Sequence, residues 1–230
     1  MKIILTNDDG IDAPGLHALY QILKDQAMTV VVAPQKPQSG VGHRVTVDSP
    51  IQLTKIAKNR YAVDGTPADC VRIALKHIAP DAEWLFAGIN PGANLGSDVY
   101  NSGTVAGARE AAILGCRSAA VSQYIAKDHP LDWDLTRHHT ARVVRALLDK
   151  DPGTGYFWNA NLPHPLVSDI DPDIIFCNLD TNPHEYSYRE QGDHLIYEGT
   201  IHTRPRDEGL DVAVCFGGKI SVTRIAVGTY

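Results

Sequence analysis

Short apolar runs and amphipathic stretches follow one another along the first half of the chain. Three apolar runs bounded by turn residues lie at residues 3–5, 28–33 and 84–89, and residues 117–121 are expected to form a further strand. Continuous runs of this length are typical of strands buried on both faces of a sheet. Between the first two runs, apolar residues fall at i, i+3, i+4 and i+7, namely Leu16, Leu19, Tyr20 and Leu23. That spacing predicts an amphipathic helix, so the first 33 residues form a βαβ unit of an α/β fold with parallel strands.

The pattern also predicts the later elements. Residues 66–69 suit a helix start, with Thr66 as the N-cap, Pro67 in the first turn and Asp69 at the N3 position. Helices are predicted from there to residue 78, at 103–114 and at 131–150, and strands at 41–47, 51–54, 60–63, 156–161 and 174–177. Alternating residues predict a hairpin at 185–198 that turns at 191–193, and residues 211–216 and 220–225 are expected to pair as closing strands.

Two adjacent carboxylates, Asp8 and Asp9, follow the first apolar run and precede Gly10. Ligands of open α/β sheets bind at the carboxyl ends of central strands, and we expect this run to be one of them. An Asp-Gly pair is also ordinary turn chemistry. Adjacent carboxylates, however, repel each other unless a cation or a shared proton settles them. We therefore predict that Asp8 and Asp9 bind a divalent metal ion, which prefers oxygen ligands.

Two neutral oxygen ligands are predicted at the same edge of the sheet. Ser39 lies in the stiff loop that follows the second strand, and Asn90 ends the third apolar run. The loops after parallel strands leave the sheet at one edge, so both side chains should face the Asp8–Asp9 turn. Two carboxylates, a hydroxyl and an amide oxygen leave coordination positions for water and phosphate. That arrangement is the usual one for Mg²⁺ or Mn²⁺.

A long glycine-rich loop at residues 90–102 leads into the helix predicted at 103–114. Glycines let backbone N–H groups approach an anion closely, and a helix N-terminus offers further N–H donors. Ser and Thr are also common helix caps, so the cap by itself proves nothing. The loop's length and its origin at a strand's carboxyl end favour a phosphate site. Its candidate contacts are Asn94, Ser102, Gly103 and Thr104.

Composition and charge exclude several classes of protein. The net charge of −6 argues against a general nucleic-acid binder, so no stable nucleic-acid complex is expected. The four cysteines lack CxxC spacing and suit reduced thiols in the cytoplasm. No signal-peptide pattern and no apolar run near the ~20 residues of a membrane span occurs, so no membrane contact is expected. Walker and GxGxxG motifs are missing, and among the histidines only His43 is kept as a candidate acid or anion contact.

Several stretches together resemble the SurE (survival protein E) nucleotidase family. The matching stretches are residues 6–10 (Thr-Asn-Asp-Asp-Gly), 13–15, 32–40, 65–70 (Gly-Thr-Pro-Ala-Asp-Cys), 88–90, 92–99 and 102–106. They cover about residues 1–125 in the family's order and spacing. One departure is Asn101, which stands where family members commonly carry an aromatic residue.

The resemblance implies a Rossmann-like, mostly parallel α/β sheet with helices on both faces and C-terminal β-hairpin extensions. It implies a divalent-metal-dependent phosphatase acting on nucleoside 5′- or 3′-monophosphates, with Mg²⁺ or Mn²⁺ as the cofactor. The metal ligands would be Asp8, Asp9, Ser39 and Asn90, and the phosphate contacts Asn94, Ser102, Gly103 and Thr104. We expect one domain over residues 1–230, with the site in 1–125 and a hairpin at about 185–216 that joins cytoplasmic homodimers or homotetramers.

Two alternatives to metal-assisted hydrolysis stay open. A phosphatase with an aspartyl nucleophile would need a DxD spacing, whereas Asp8 and Asp9 are adjacent. A non-catalytic nucleotide-binding regulatory module would bind nucleotide without turnover. Within the hydrolytic mechanism, Asp8 and Asp9 are both candidates for orienting or deprotonating the attacking water.

Overall fold

The fold is built on one large twisted sheet with helices on both faces. A computed structural model describes residues 1–165, 171–183, 187–198 and 204–228. The strands are β1 (Lys2–Thr6), β2 (Met28–Pro34), β3 (Leu53–Ala57), β4 (Arg60–Val63), β5 (Trp84–Pro91), β6 (Arg117–Gln123), β7 (Tyr156–Leu162), β8 (Ile174–Cys177), β9 (Tyr188–Gln191), β10 (His194–Tyr197) and β11 (Ile220–Ala226). The α-helices are α1 (Pro14–Leu23), α2 (Pro67–Ile73), α3 (Gly103–Ile113), α4 (Trp133–Leu148) and α5 (Asp211–Phe216).

Nine strands form the main sheet in the order β3-β4-β2-β1-β5-β6-β7-β11-β8. Strand β1 lies between β2 and β5 and runs parallel to both, so the prediction of a central first strand is confirmed. The chain leaves β1 on one side through β2 and β4, and then crosses to the other side for β5. The carboxyl end of β1 is therefore the point where the strand order reverses, which is where open α/β sheets bind ligands.

Each face of the sheet is covered by two of the longer helices. Helices α1 and α4 pack on one face through Leu16, Leu19, Val143 and Leu147, and α2 and α3 pack on the other through Val71, Val105 and Ala111. The small residues of α3 allow a close approach to the sheet. A Cβ atom added at Gly107 would lie 3.1 Å from the Thr6 methyl group. This close packing fixes the start of α3 relative to the end of β1.

Two predictions of secondary structure are wrong. Residues 211–216 form α5, because Val212 and Cys215 are spaced for one helix face and are buried against Leu95 and Tyr124. Residues 41–47 form no strand. Gly42 donates its N–H to the Asn101 carbonyl, and the Thr46 N–H and hydroxyl are both bonded to Asp69, so this segment is tied to neighbouring loops instead.

Other predictions are confirmed with small shifts at the ends. The hairpin forms from β9 and β10, with Gly192 in the turn at a φ of 59°. The start of the predicted hairpin at residues 185–186 lies outside the described residues. The helix predicted at 131–150 begins at Trp133, because the Asp132 carboxylate caps it by accepting the N–H groups of Asp134 and Leu135. No helix among the residues given above is long and apolar enough to cross a membrane.

Thr66 and Asp69 form the capping box that the sequence predicts at the start of α2. Burial pushes the pKa of Asp69 upward, but hydrogen bonds from Thr46 and Thr66 outweigh it and hold the pKa below its usual value. We expect Asp69→Asn to lower the free energy of unfolding by about 1–2 kcal/mol at pH 7, because an amide accepts fewer of these hydrogen bonds.

The pH dependence of that loss has a defined sign. A carboxylate with a lowered pKa stabilises the fold above its unfolded pKa of about 3.9, and the stabilisation is lost as the pH falls through the folded value. Urea unfolding at pH 7 and pH 3 should therefore show a smaller difference between Asp69→Asn and the parent at pH 3. Asp64→Asn, on an exposed neighbour, serves as the control. An Asp69→Asn effect that grows at pH 3 would contradict this assignment.

Candidate functional site

Asp8 and Asp9 lie in the turn that leaves the carboxyl end of β1. The turn is fixed by two hydrogen bonds, from Asn7 Nδ2 to the Gly10 carbonyl (2.9 Å) and from the Ile11 N–H to the Pro34 carbonyl (2.8 Å). Gly10 has a φ of 106°, a conformation that side chains rarely adopt. The turn therefore holds both carboxylates at the point where the strand order reverses.

Asp8 is buried and Asp9 half-buried, and a cation would offset the cost of desolvating both carboxyl groups. Asp8 is 5% exposed, and burial raises its pKa although the side chain and backbone of Thr104 donate hydrogen bonds to it. Burial, together with the charge of Asp8, raises the pKa of Asp9 to about 6. Asp9 Oδ2 is buried and has no hydrogen-bond partner among the described residues. Two adjacent, partly desolvated carboxylates with an unsatisfied oxygen fit a hard divalent cation.

The loop after β2 contacts this turn next to Ser39, which is exposed. Its neighbour Gln38 donates a backbone hydrogen bond of 2.7 Å to the Asp8 carbonyl. Further along, Gly42 donates to the carbonyl of Asn101, directly before α3. The loop that carries Ser39 therefore touches both the carboxylate turn and the start of α3.

Asn90 and Asn94 both meet β6 at Ser122. The Asn90 amide nitrogen donates to the Gly92 carbonyl (2.6 Å), which orients the amide so that its oxygen is the remaining acceptor. Asn90 is the register partner of Ser122 on β6, and Asn94 Nδ2 donates to Ser122 Oγ at 2.7 Å. The backbone of Asn94 is held by Asn159 and Asn161 of β7.

The start of α3 lies directly against Asp8. A Cβ atom added at Gly103 would stand 2.8 Å from Asp8 Cβ and 3.0 Å from Asp8 Oδ2. Thr104 donates its hydroxyl to Asp8 Oδ1. Ser102 caps the helix, because its Oγ accepts the N–H of Val105 (3.1 Å) and keeps its own hydroxyl proton for another acceptor. The Ser102 hydroxyl and the Gly103 N–H are therefore the donors that this helix start offers to an anion.

Comparison with known proteins identifies the family. The family model described as Survival protein SurE matches residues 3–184. The chain belongs to the SurE family. The 5′-nucleotidase SurE of Paramagnetospirillum magneticum is 36% identical over 97% of this chain and 88% of its own length. A relative from a Synechocystis species is 45% identical over 99% of this chain and 100% of its own length.

A solved structure supports the same assignment. The crystal structure of the SurE protein from Aquifex aeolicus matches with a TM-score of 0.88 and 30% identity, over 100% of this chain and 95% of that one. The expected Rossmann-like sheet with helices on both faces and a C-terminal hairpin is thereby confirmed. The positions of the predicted SurE site residues follow from the contacts above, and their roles as ligands stay predictions.

One candidate residue has a different partner. His43 Nε2 lies 2.7 Å from Glu110 Oε2, and Glu110, which is 1% exposed, is also paired with Arg72. Arg109 Nη1 lies 3.4 Å from His43 Nδ1. These contacts of His43 hold the loop after Ser39 against α3.

A second cluster of ligand-type side chains lies far from the SurE site in sequence. His138, His139 and Asp171 place one nitrogen or oxygen atom each within 4.8 Å of one another. Arg142 Nε lies 3.6 Å from Asp171 Oδ2, and its Nη1 lies 3.5 Å from His139 Nδ1. The guanidinium already supplies a positive charge there, so this cluster is a poorer cation site than Asp8 and Asp9.

Sequence reasoning missed the residues that hold Asn94 and the loop beyond it. Asn159 and Asn161 are buried amides at alternate positions of β7, and polar residues inside an apolar strand are a signal that could have been followed. Asp211 and Arg204 also contact this loop. They gave no local signal, because their contacts lie 115 and 109 residues away in the chain.

Proposed function

We propose that this chain is a divalent-metal-dependent phosphomonoesterase that hydrolyses nucleoside 5′-monophosphates to nucleoside and phosphate. The nucleotidase activity is supported by membership of the SurE family and by relatives named 5′-nucleotidase SurE. Mg²⁺ or Mn²⁺ is the proposed cofactor, since every proposed ligand atom is an oxygen. We propose hydrolysis of 3′-monophosphates on the family resemblance alone.

The observation that carries the proposal is the contact between Asp8 and the start of α3. Asp8, one of the two carboxylates that favour a cation, packs directly on the helix N-terminus that favours an anion: a Cβ atom added at Gly103 would stand 3.0 Å from Asp8 Oδ2. A phosphate ester needs both kinds of group, because charge on its oxygens grows as the bond to the leaving group breaks.

One set of the predicted site residues would hold the cation, and the other would bind the phosphate. Asp8, Asp9, Ser39 and Asn90 would hold the cation. When bound, the cation polarises a phosphate oxygen and lowers the pKa of the attacking water. Either Asp8 or Asp9 orients that water or accepts its proton. Asn94 Nδ2, the Ser102 hydroxyl and the Gly103 N–H bind the remaining phosphate oxygens and hold the ester in line for attack. Thr104, the other predicted phosphate contact, donates its hydroxyl to Asp8 in this structure and would orient that carboxylate.

A single assay tests this proposal. Phosphate release is measured from a panel of nucleoside 5′- and 3′-monophosphates, with chelator and then with Mg²⁺, Mn²⁺ or Ca²⁺ restored. We expect turnover that chelator abolishes and that Mg²⁺ or Mn²⁺ restores. Tight nucleotide binding without turnover would instead support the regulatory module, and a trapped phosphoaspartate would support the aspartyl nucleophile.

We also propose that the protein self-associates through its hairpin into dimers or tetramers. Tyr188, Leu195 and Tyr197 on β9 and β10 are 59%, 66% and 53% exposed, and among the described strands these two pair only with each other. Exposed apolar side chains of this size favour burial against a partner. Sedimentation of the parent protein and of a Leu195→Asp variant would measure this association.

A further inference from the structure

The loop between β5 and α3, residues 92–102, is held from outside by the C-terminal part of the chain. The Arg204 side chain is 4% exposed. Its Nη1 donates to the Leu95 carbonyl at 3.2 Å and lies 2.7 Å from Asp98 Oδ2. A guanidinium is rarely buried to this extent unless it is paired, so this contact is a specific one.

Asp211 holds the same loop at Gly96, the residue after Leu95. Its carboxylate is fully buried and accepts the N–H groups of Gly96 (2.8 Å), Asp180 (2.7 Å) and Val212 (2.9 Å). Gly96 has a φ of 52°, and a Cβ atom there would stand 2.8 Å from both Arg204 Nη2 and the Asp180 carbonyl. The Arg204 and Asp211 side chains therefore pack directly on the backbone of the loop, with no space for a side chain at Gly96.

Asp98 connects these contacts to the start of α3. Its carbonyl accepts the N–H groups of Asn101 and Ser102, both at 3.1 Å, and its carboxylate is paired with Arg204. Arg204 is thus linked through Asp98 to Ser102, which caps α3. Arg204 and Asp211 do not contact the proposed metal ligands: Asp8, Asp9 and Ser39 follow β1 and β2, and Asn90 lies within β5, before the 92–102 loop.

We infer that Arg204 and Asp211 are positioning residues for the phosphate-binding side of the site. They hold the 92–102 loop so that Asn94, Ser102 and Gly103 keep the arrangement that binds the phosphate oxygens, and they do not touch the substrate. This inference rests on the proposed function for its kinetic consequence. Its structural consequence, the ordering of the loop, is independent of any activity.

The kinetic test uses Arg204→Gln, Arg204→Lys and Asp211→Asn. We expect kcat/KM for a nucleoside 5′-monophosphate to fall about 10–100-fold in Arg204→Gln and Asp211→Asn, since small displacements of binding groups have effects of this size. The metal concentration at half-maximal activity should stay within about twofold, because the proposed cation ligands lie outside the 92–102 loop. Arg204→Lys keeps a cation opposite Asp98 and should recover part of the loss. Arg206→Gln, an exposed arginine of the same segment that stacks on Phe216, is the matched control.

Hydrogen exchange followed by mass spectrometry gives a readout without substrate or metal. Amide exchange in residues 94–102 should accelerate about 10-fold or more in Arg204→Gln and Asp211→Asn, while exchange in β2 stays as in the parent. The Arg206→Gln control should change neither segment. If the parent has no nucleotidase activity but the loop still loosens, the proposed function fails and the loop contact stands.

Three results would overturn the inference. The first is unchanged exchange in residues 94–102 in both Arg204→Gln and Asp211→Asn. The second is acceleration in β2 equal to that in the loop, which would mean a general loss of stability. The third is a loss of activity accompanied by an equally large weakening of metal binding. Because Asp211 is fully buried, Asp211→Asn could fail to fold. The comparison of Arg204→Gln and Arg204→Lys with the parent then decides the question alone.

Discussion

Replacing Asp8 with asparagine should lower metal-dependent phosphate release by about 10³-fold or more, while the protein stays folded. The substitution removes one of the two charges proposed to hold the cation, and a bound cation would supply several kcal/mol of transition-state stabilisation. The side chain keeps its size, and its oxygen can still accept the Thr104 hydroxyl. The measurements are kcat/KM with saturating Mg²⁺ or Mn²⁺, and thermal unfolding of the chelated protein.

Asp12→Asn is the control for this experiment. Asp12 lies in the same turn, but its side chain is 83% exposed and paired with Arg60. Its replacement should change kcat/KM by less than about twofold, since an exposed ion pair contributes little. An Asp8→Asn variant that is folded and retains full metal-dependent activity would disprove the assignment of Asp8 as a metal ligand.

Gly103→Ala should lower activity about 100-fold without unfolding the protein. A methyl group at this position would stand 2.8 Å from Asp8 Cβ and 3.0 Å from Asp8 Oδ2, so the carboxylate or the start of α3 must move. A displacement of the carboxylate or of the helix start separates the proposed cation ligands from the proposed phosphate ligands. Misplacements of this kind lower the reaction rate on the order of 10²-fold. Steady-state kinetics and metal titration would measure the loss.

Gly107→Ala makes the same change one turn further along α3. Its methyl group would meet the Thr6 methyl at 3.1 Å and no proposed ligand. We expect this variant to lose stability, by about 1–2 kcal/mol, while its metal requirement is that of the parent. Activity in Gly103→Ala within threefold of the parent would show that Asp8 is not in its working position in this structure.

The sequence predicted the parts of the fold that depend on local pattern. Parallel β1 and β2, the capping box at Thr66 and the start of α3 each depend on residues close together in the chain, and all are confirmed. The sequence also predicted which loops meet at the carboxyl end of β1, because the direction of parallel strands determines the edge at which each loop leaves the sheet.

The errors arose where distant contacts decide the local structure. Residues 211–216 can form either a strand or a helix, and the contacts of Val212 and Cys215 with Leu95 and Tyr124 select the helix. The segment 41–47 has strand-forming residues, but bonds to Asp69 and Asn101 fix it as a loop. Local propensity gives way to such tertiary contacts. For the same reason, no pattern around Arg204 predicted its contact with Leu95 and Asp98.

The position of β5 beside β1 has a consequence for the order in which the chain folds. Strand β1 pairs with β2 within the first βαβ unit. Its neighbour on the other side is β5, where Trp84 lies opposite Ile3. On the ribosome, β1 therefore has one unpaired apolar edge until β5 has been synthesised and crosses over, and such edges favour aggregation. The turn with Asp8 and Asp9 is made first, yet it acquires Asn90 and the start of α3 only after this late pairing. We expect chains arrested before β5 to need a chaperone, and β5 docking to limit the rate of refolding.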